Sequence, residues 1–147
     1  MLDTVGAILQ IKGSDIWHIS PGATVYEAIE HMALKRIGAL PVLSQGTLVG
    51  IISERDYARK VILQGRSSRE TLVREIMTPS PVVVAPHQTV HECLQIMTLR
   101  RIRHLPVIDD GRVSGIVSIG DLVKAIIATQ EFTIHQLHTY IAETYPV

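Results

Sequence analysis

The chain has 147 residues, enough for one ordinary domain or two very small ones. Hydrophobic residues make up 46% and charged residues 19%, which excludes a disordered chain. Fourteen Lys and Arg balance fourteen Asp and Glu, so the chain lacks the basic surplus that general nucleic-acid binding requires.

The start, Met1-Leu2-Asp3-Thr4, has no basic region, and no signal-length apolar run follows it. No stretch approaches the roughly 20 apolar residues that span a bilayer, and the run from Leu122 to Ala128 is short and carries Lys124. The single cysteine, Cys93, cannot form an internal disulfide and fits a reducing compartment. A cytoplasmic protein is expected, with neither membrane nor nucleic acid as partner.

Sliding the sequence by 65 residues exposes a duplication. Pro21–Lys60 against Pro86–Ala125 gives 16 identities in 40 positions without a gap, where chance gives roughly two or three. Each copy reads alike. A β-branched run opens it, Ile16–Ile19 and Val82–Val84, and a proline closes that run. Thr24-x-x-Glu27 and Thr89-x-x-Glu92 have the form of capping boxes, in which threonine oxygen and glutamate carboxylate each take an orphan amide. The stripe Val25, Ala28, Ile29, Met32 and its match Val90, Cys93, Leu94, Met97 have helical period. Leu40–Leu43 and Thr47–Ile52 flank Ser44-Gln45-Gly46 as a hairpin, and Asp109-Asp110-Gly111 is the second turn. Ser53-x-x-Asp56 and Ser118-x-x-Asp121 then open a second helix.

The expected fold is α/β in the broad sense (α+β): two β-α-β-β-α repeats packed about a pseudo-two-fold axis, plus a C-terminal helix. The expected boundaries are 5–64 for repeat 1, 65–81 for a linker and lead-in strand region, 72–130 for repeat 2, and 131–147 for the extension. The incomplete stripe Phe132, Leu137, Tyr140, Ile141 predicts a last helix that docks on the body or on another subunit.

Spacing alone leaves the Ser-x-x-Asp motifs as helix caps. A carboxylate nevertheless suits a vicinal diol, because both its oxygens only accept hydrogen bonds. Trp17 and Val82 match in the first strand of each copy, and Arg103-His104 meets Gly38-Ala39. Arg100 and Arg101, with Lys35 and Arg36, read as surface charges. His87-x3-His91 and His135-x2-His138 miss the zinc pattern H-E-x-x-H and read as exposed histidines. Cys93 reads as a buried, inert thiol. No phosphate-binding P-loop is present, and no nucleophile, base and orienting group line up, so an enzyme is not expected.

The duplicated unit, with Arg101-Ile102-Arg103-His104-Leu105-Pro106-Val107 and Gly115-Ile116-Val117-Ser118-Ile119-Gly120-Asp121-Leu122, resembles a tandem pair of cystathionine-β-synthase (CBS) domains, often called a Bateman module. Ser53–Lys60 is similar to a stretch of small stand-alone bacterial CBS pairs. The resemblance covers about residues 5–130 and implies adenosine ligands (AMP, ADP, ATP, NAD or S-adenosylmethionine) in clefts between the repeats, and a homodimer that signals to an unknown regulated protein. It implies Asp56 and Asp121 as ribose acceptors, with Ser53 and Ser118 beside them. Crossing the copies as the family does gives one cleft from Ile51, Ser53, Arg55 and Asp56 with Val82, Arg103 and His104. The other joins Ile116, Ser118 and Asp121 to Trp17 but has Gly38 and Ala39 where the basic pair would be. Arg103 and His104 are therefore expected to favour phosphate in the Asp56 cleft, and a His104 that meets phosphate as a cation would make binding stronger below about pH 6.5 than above it. The alternative is a CBS-pair dimer that binds no nucleotide and serves structure or interaction.

Overall fold

The structure, a computed structural model, describes residues 2–13 and 15–144. The chain folds as α1 (Val5–Lys12), α2 (Val25–Lys35), β1 (Ala39–Ser44), β2 (Thr47–Ser53), α3 (Glu54–Tyr57) running into a π-helical turn (Ala58–Ile62), α4 (Val73–Ile76), β3 (Thr78–Pro79), α5 (Val90–Arg100), β4 (His104–Asp109), β5 (Arg112–Ser118) and α6 (Ile119–Thr144). The two hairpins and the helices before them superpose in sequence at the 65-residue spacing.

The threonine half of each helix cap forms: Thr24 Oγ1 accepts from the Glu27 amide at 3.1 Å and Thr89 Oγ1 from the Glu92 amide at 3.0 Å. Val25, Ala28 and Met32 of α2 are buried, as are Val90, Cys93 and Met97 of α5. Both helices end on an arginine in the left-handed region, Arg36 and Arg101, each at φ 56°. The hairpin turns place Gln45 and Gly46, and Asp110 and Gly111, at positive φ, the two-residue geometry that matches strand twist.

Both hairpins shift register at one place, between Val42 and Leu43 and between Val107 and Ile108. There the Leu43 amide donates to Ile19 O and the Ile108 amide to Val84 O, each at 2.9 Å. The expected opening strands, Ile16–Ile19 and Val82–Val84, shrink to these single contacts, Ile19 with Val42 and Val84 with Val107. Proline on either side of Val82–Val84 removes the amides that a longer ladder needs.

Each repeat has its own apolar core, and each core takes a helix from the other side of the chain. Val5 and Ile8 of α1 lie in the core of repeat 2 with Leu105, Val107, Val117 and Leu122. Val73 and Ile76 of α4 lie in the core of repeat 1 with Leu40, Val42 and Ile52. The bonding is equivalent: Val5 N and Gly6 N donate to Gln88 O and Pro86 O, while Val73 N and Arg74 N donate to Ala23 O and Pro21 O. α1 and α4 therefore match at a spacing of 68 residues. Leu9 and Met77 then correspond, and each presses on a strand glycine: a Cβ on Gly115 would lie 2.9 Å from Leu9 Cδ2, and one on Gly50 would lie 2.6 Å from Met77 Sδ. The segment expected as a linker thus contains α4 and β3, which completes repeat 1 by pairing with β2.

The second helices of the repeats end differently. In repeat 1 the helix widens into the π turn and stops near Gly65, which sits at φ 68°. Gln130 takes that place in repeat 2, and α6 runs on to Thr144 as one helix. The expected separate C-terminal helix is therefore the far half of α6. It does not dock on the body: Phe132, Leu137, Tyr140 and Ile141 stay 46–60% exposed. Residues 145–147 of the expected extension lie outside the described residues. β2 and β5 touch, which brings the two hairpins together at the centre of the molecule.

Candidate functional site

Each Asp is locked by its own helix start. Asp56 Oδ2 accepts from the Ser53 amide at 2.9 Å and from Ser53 Oγ at 3.1 Å, and Ser53 Oγ accepts from the Asp56 amide at 3.2 Å. Asp121 Oδ2 accepts from the Ser118 amide at 2.8 Å, and the Asp121 amide donates to Ser118 Oγ at 3.1 Å. The Ser-x-x-Asp motifs are reciprocal capping boxes, and both carboxylates are held at the strand-to-helix corner that borders a cleft.

A lysine closes on each carboxylate, from different elements. Lys60 Nζ, one turn further along the same helix, lies 3.1 Å from Asp56 Oδ1 and donates to Ile76 O of α4 at 2.9 Å. Lys12 Nζ, at the end of α1, lies 2.8 Å from Asp121 Oδ2 and donates to Ile116 O at 2.9 Å. Each lysine ties a lead-in helix to the Asp-bearing corner of the repeat on which that helix packs. Burial pushes the Asp121 carboxyl up, but the Lys12 and Ser118 hydrogen bonds outweigh it and hold the group below its usual 3.8.

The structure brings together the residues that crossing the copies predicts. Ile51, Ser53, Arg55, Asp56, Val82, Arg103 and His104 line one cavity of about 690 Å³. Trp17, Gly38, Ala39, Ile116, Ser118 and Asp121 line a second, of about 580 Å³. Both sizes suit a small organic ligand. Lys35 Nζ lies 4.0 Å from the centroid of the Trp17 ring, so a cation covers one face of the indole.

Charge is where sequence reasoning fell short. Arg55, Arg59, Lys60, Arg101 and Arg103 line the Asp56 cleft, against Glu54 and Asp56. Lys12, Lys35, Arg36 and Lys124 line the Asp121 cleft, against Asp15 and Asp121. Nine of the chain's fourteen Lys and Arg residues thus border the two cavities of a chain with no net charge. Lys35, Arg36 and Arg101, expected as surface charges, are exposed and also border the clefts. The left-handed turn at Arg36 and Arg101 redirects the chain at the cavity rim. Gly38 and Ala39 stand in the Asp121 cleft where the basic pair would be, as expected, and Lys12, Lys35, Arg36 and Lys124 supply cations from elsewhere.

His104 lines both cavities. A Cβ placed on Gly38 would lie 3.2 Å from His104 Nε2, so the imidazole packs closely over the glycine between the clefts. Burial lowers the His104 pKa from 6.5; Lys12 and Arg103 push it the same way, while Asp121 opposes them. Without a phosphate beside it, the surroundings of the ring thus disfavour the charged form. Arg103 is exposed, and Arg55 Nη1 donates to Arg101 O at 3.3 Å across the repeats.

Away from the clefts, Cys93 is buried, and burial pushes its thiol up to about 11. His87, His91, His135 and His138 are exposed. Among the described residues, no helix is long and apolar enough to cross a membrane.

Comparison with known proteins gives this architecture its family. The CBS domain profile matches residues 8–62 and 73–128. The CBS domain-containing protein CBSX3, mitochondrial, of Arabidopsis thaliana is 44% identical, over 97% of this chain and 73% of its own. YhcV of Bacillus subtilis, also a CBS domain-containing protein, is 38% identical over 71% of this chain and 74% of its own. The solved structure of a protein with CBS domains from Burkholderia ambifaria superposes with a TM-score of 0.83 at 50% identity, over 86% of this chain and 96% of that one. Two copies of one unit with exchanged lead-in helices thus make a tandem pair of CBS domains, and the chain belongs to the CBS-domain family.

Proposed function

We propose that the protein is a non-catalytic sensor that binds an adenine nucleotide in its inter-repeat clefts and, as a homodimer, passes the binding state to a partner protein. The concentration of cations carries this reading. Nine basic residues face two cavities, each with a capped carboxylate at one side. A carboxylate with acceptor oxygens fits the ribose hydroxyls, and the guanidinium and ammonium groups fit phosphate oxygens. AMP, ATP and NAD share the adenosine half that this arrangement addresses. CBS pairs are regulatory modules that often bind nucleotides, which supports the same reading. A reducing compartment, with the cytoplasm as our assignment, suits the lone buried thiol.

One observation favours the alternative, a CBS pair that binds no nucleotide and serves as an interaction module. Both carboxylates already have a lysine partner, Lys60 on Asp56 and Lys12 on Asp121. A ribose must share or displace those contacts. Denaturing the purified protein and identifying what it releases by mass spectrometry separates the two readings. Released adenine nucleotide near one equivalent per chain or more supports the sensor. No released nucleotide, together with no heat on titration of AMP, ATP or NAD, supports the interaction module.

A further inference from the structure

α6 carries two faces, of which the body uses only one. Leu122 and Ala125 are buried in the repeat 2 core. On the opposite side, Val123, Ile127, Ile134, Leu137 and Ile141 are 45–55% exposed. With the exposed Gln130, these residues step along the helix by four and three in strict alternation. That is a heptad seam with isoleucine at every a position (127, 134, 141) and Val123, Gln130 and Leu137 at d. It runs from the part of α6 anchored on repeat 2 through the part that leaves the body, and from Val123 to Ile141 it is about 27 Å long.

We infer that this seam of α6 pairs, in parallel and in register, with the same seam of a second copy of the chain. The sequence of the seam selects that occupant. Isoleucine at a with leucine at d favours two strands, a pattern met in full at Leu137, while Val123 and Gln130 fill the other two d positions. Gln130 selects the orientation. In a parallel pair it meets Gln130 of the other copy, and the two amides satisfy each other. In an antiparallel pair it faces an isoleucine and loses its partner in an apolar layer. The flanking positions allow self-pairing too, because Ile119, Ile126 and Thr133 face Lys124, Glu131 and His138 of the other copy, with no like charges opposed. The seam rests on the homodimer reading above and is independent of nucleotide.

The test uses the full chain without ligand. Light scattering should give twice the 16.3 kDa chain mass. The double variant Ile134→Glu, Leu137→Glu should give the single-chain mass with unchanged circular dichroism, since both side chains are exposed in one copy. Leu137→Cys should form an interchain disulfide at least about tenfold faster than Gln136→Cys, one position off the seam; the buried Cys93 stays silent in both. A single-chain mass for the unmodified protein overturns the dimer and the seam together. A dimer that survives the charged double variant, or a Leu137→Cys variant that cross-links no faster than Gln136→Cys, overturns the seam and leaves the dimer standing.

Discussion

Lys12 Nζ reaches Asp121 Oδ2 at 2.8 Å, joining residues that lie 109 positions apart in the chain. The equivalent carboxylate, Asp56, is met instead by Lys60 from its own helix at 3.1 Å. One cleft is therefore braced by a helix from the far end of the chain, and the other by a local pair. The difference has consequences for stability, because α1 also supplies Val5 and Ile8 to the core of repeat 2.

Lys12→Met should destabilise the protein by about 0–1 kcal/mol at neutral pH, the range for a pair with a solvent-exposed partner. Lys12 is 39% exposed, so water screens the contact. The Asp121 carboxyl is held below 3.8 in the folded state, so the stabilisation is complete above that value and lost as pH falls through the folded pKa. The gap between wild type and variant in urea denaturation should close in that acid range. A gap that widens on acidification would contradict the assignment.

His104 should make the fold sensitive to mild acid. Its folded pKa lies below the usual 6.5, so the unfolded chain takes up the proton first, and stability falls as pH drops below 6.5. His104→Gln should flatten the dependence of melting temperature on pH between about pH 5 and about pH 7.5. An unchanged slope would place the titrating group elsewhere.

Cys93 should resist thiol reagents while the protein is folded. A thiol pushed up to about 11 is almost wholly protonated at mildly alkaline pH, so labelling should run roughly two orders of magnitude slower than for a free cysteine. Denaturant should release the full rate. Prompt labelling of native protein would show that Cys93 is not buried as described.

Arg103 separates phosphate from nucleoside. It is an exposed cation at the rim of the Asp56 cleft, and loss of a charge-assisted contact is worth about 1.5–3 kcal/mol, or about 10- to 150-fold in affinity. Arg103→Ala should weaken AMP by that factor and adenosine by about twofold at most. Equal losses would remove Arg103 from the phosphate role.

The hairpins, the helices before them and the two Ser-x-x-Asp corners were legible because they repeat at one spacing, 65, with glycine at each turn. The lead-in helices were not, because they repeat at 68. A second slide would have matched Val5, Ile8 and Leu9 with Val73, Ile76 and Met77 and identified α4 inside the expected linker. The role of Lys12 is invisible because its partner Asp121 lies 109 positions away. That the exposed Arg36 and Arg101 also border the clefts is not legible, because a left-handed arginine after a helix leaves no mark in apolar periodicity. α6 runs on where Gln130 stands in place of Gly65 of repeat 1, a difference that lies five residues beyond the aligned Lys60 and Ala125.

The central claim is that Asp56 and Asp121 hold the ribose of an adenine nucleotide between the repeats. The most direct measurement is calorimetric titration of AMP into nucleotide-stripped protein, wild type against Asp56→Ala, Asp121→Ala and the double variant. Removing a ribose-facing carboxylate should cost its cleft about 2–4 kcal/mol, or about 30- to 1000-fold in affinity. Each single variant should therefore weaken one cleft and the double variant both, with the fold intact by circular dichroism. AMP binding of unchanged affinity in the folded double variant would contradict the account.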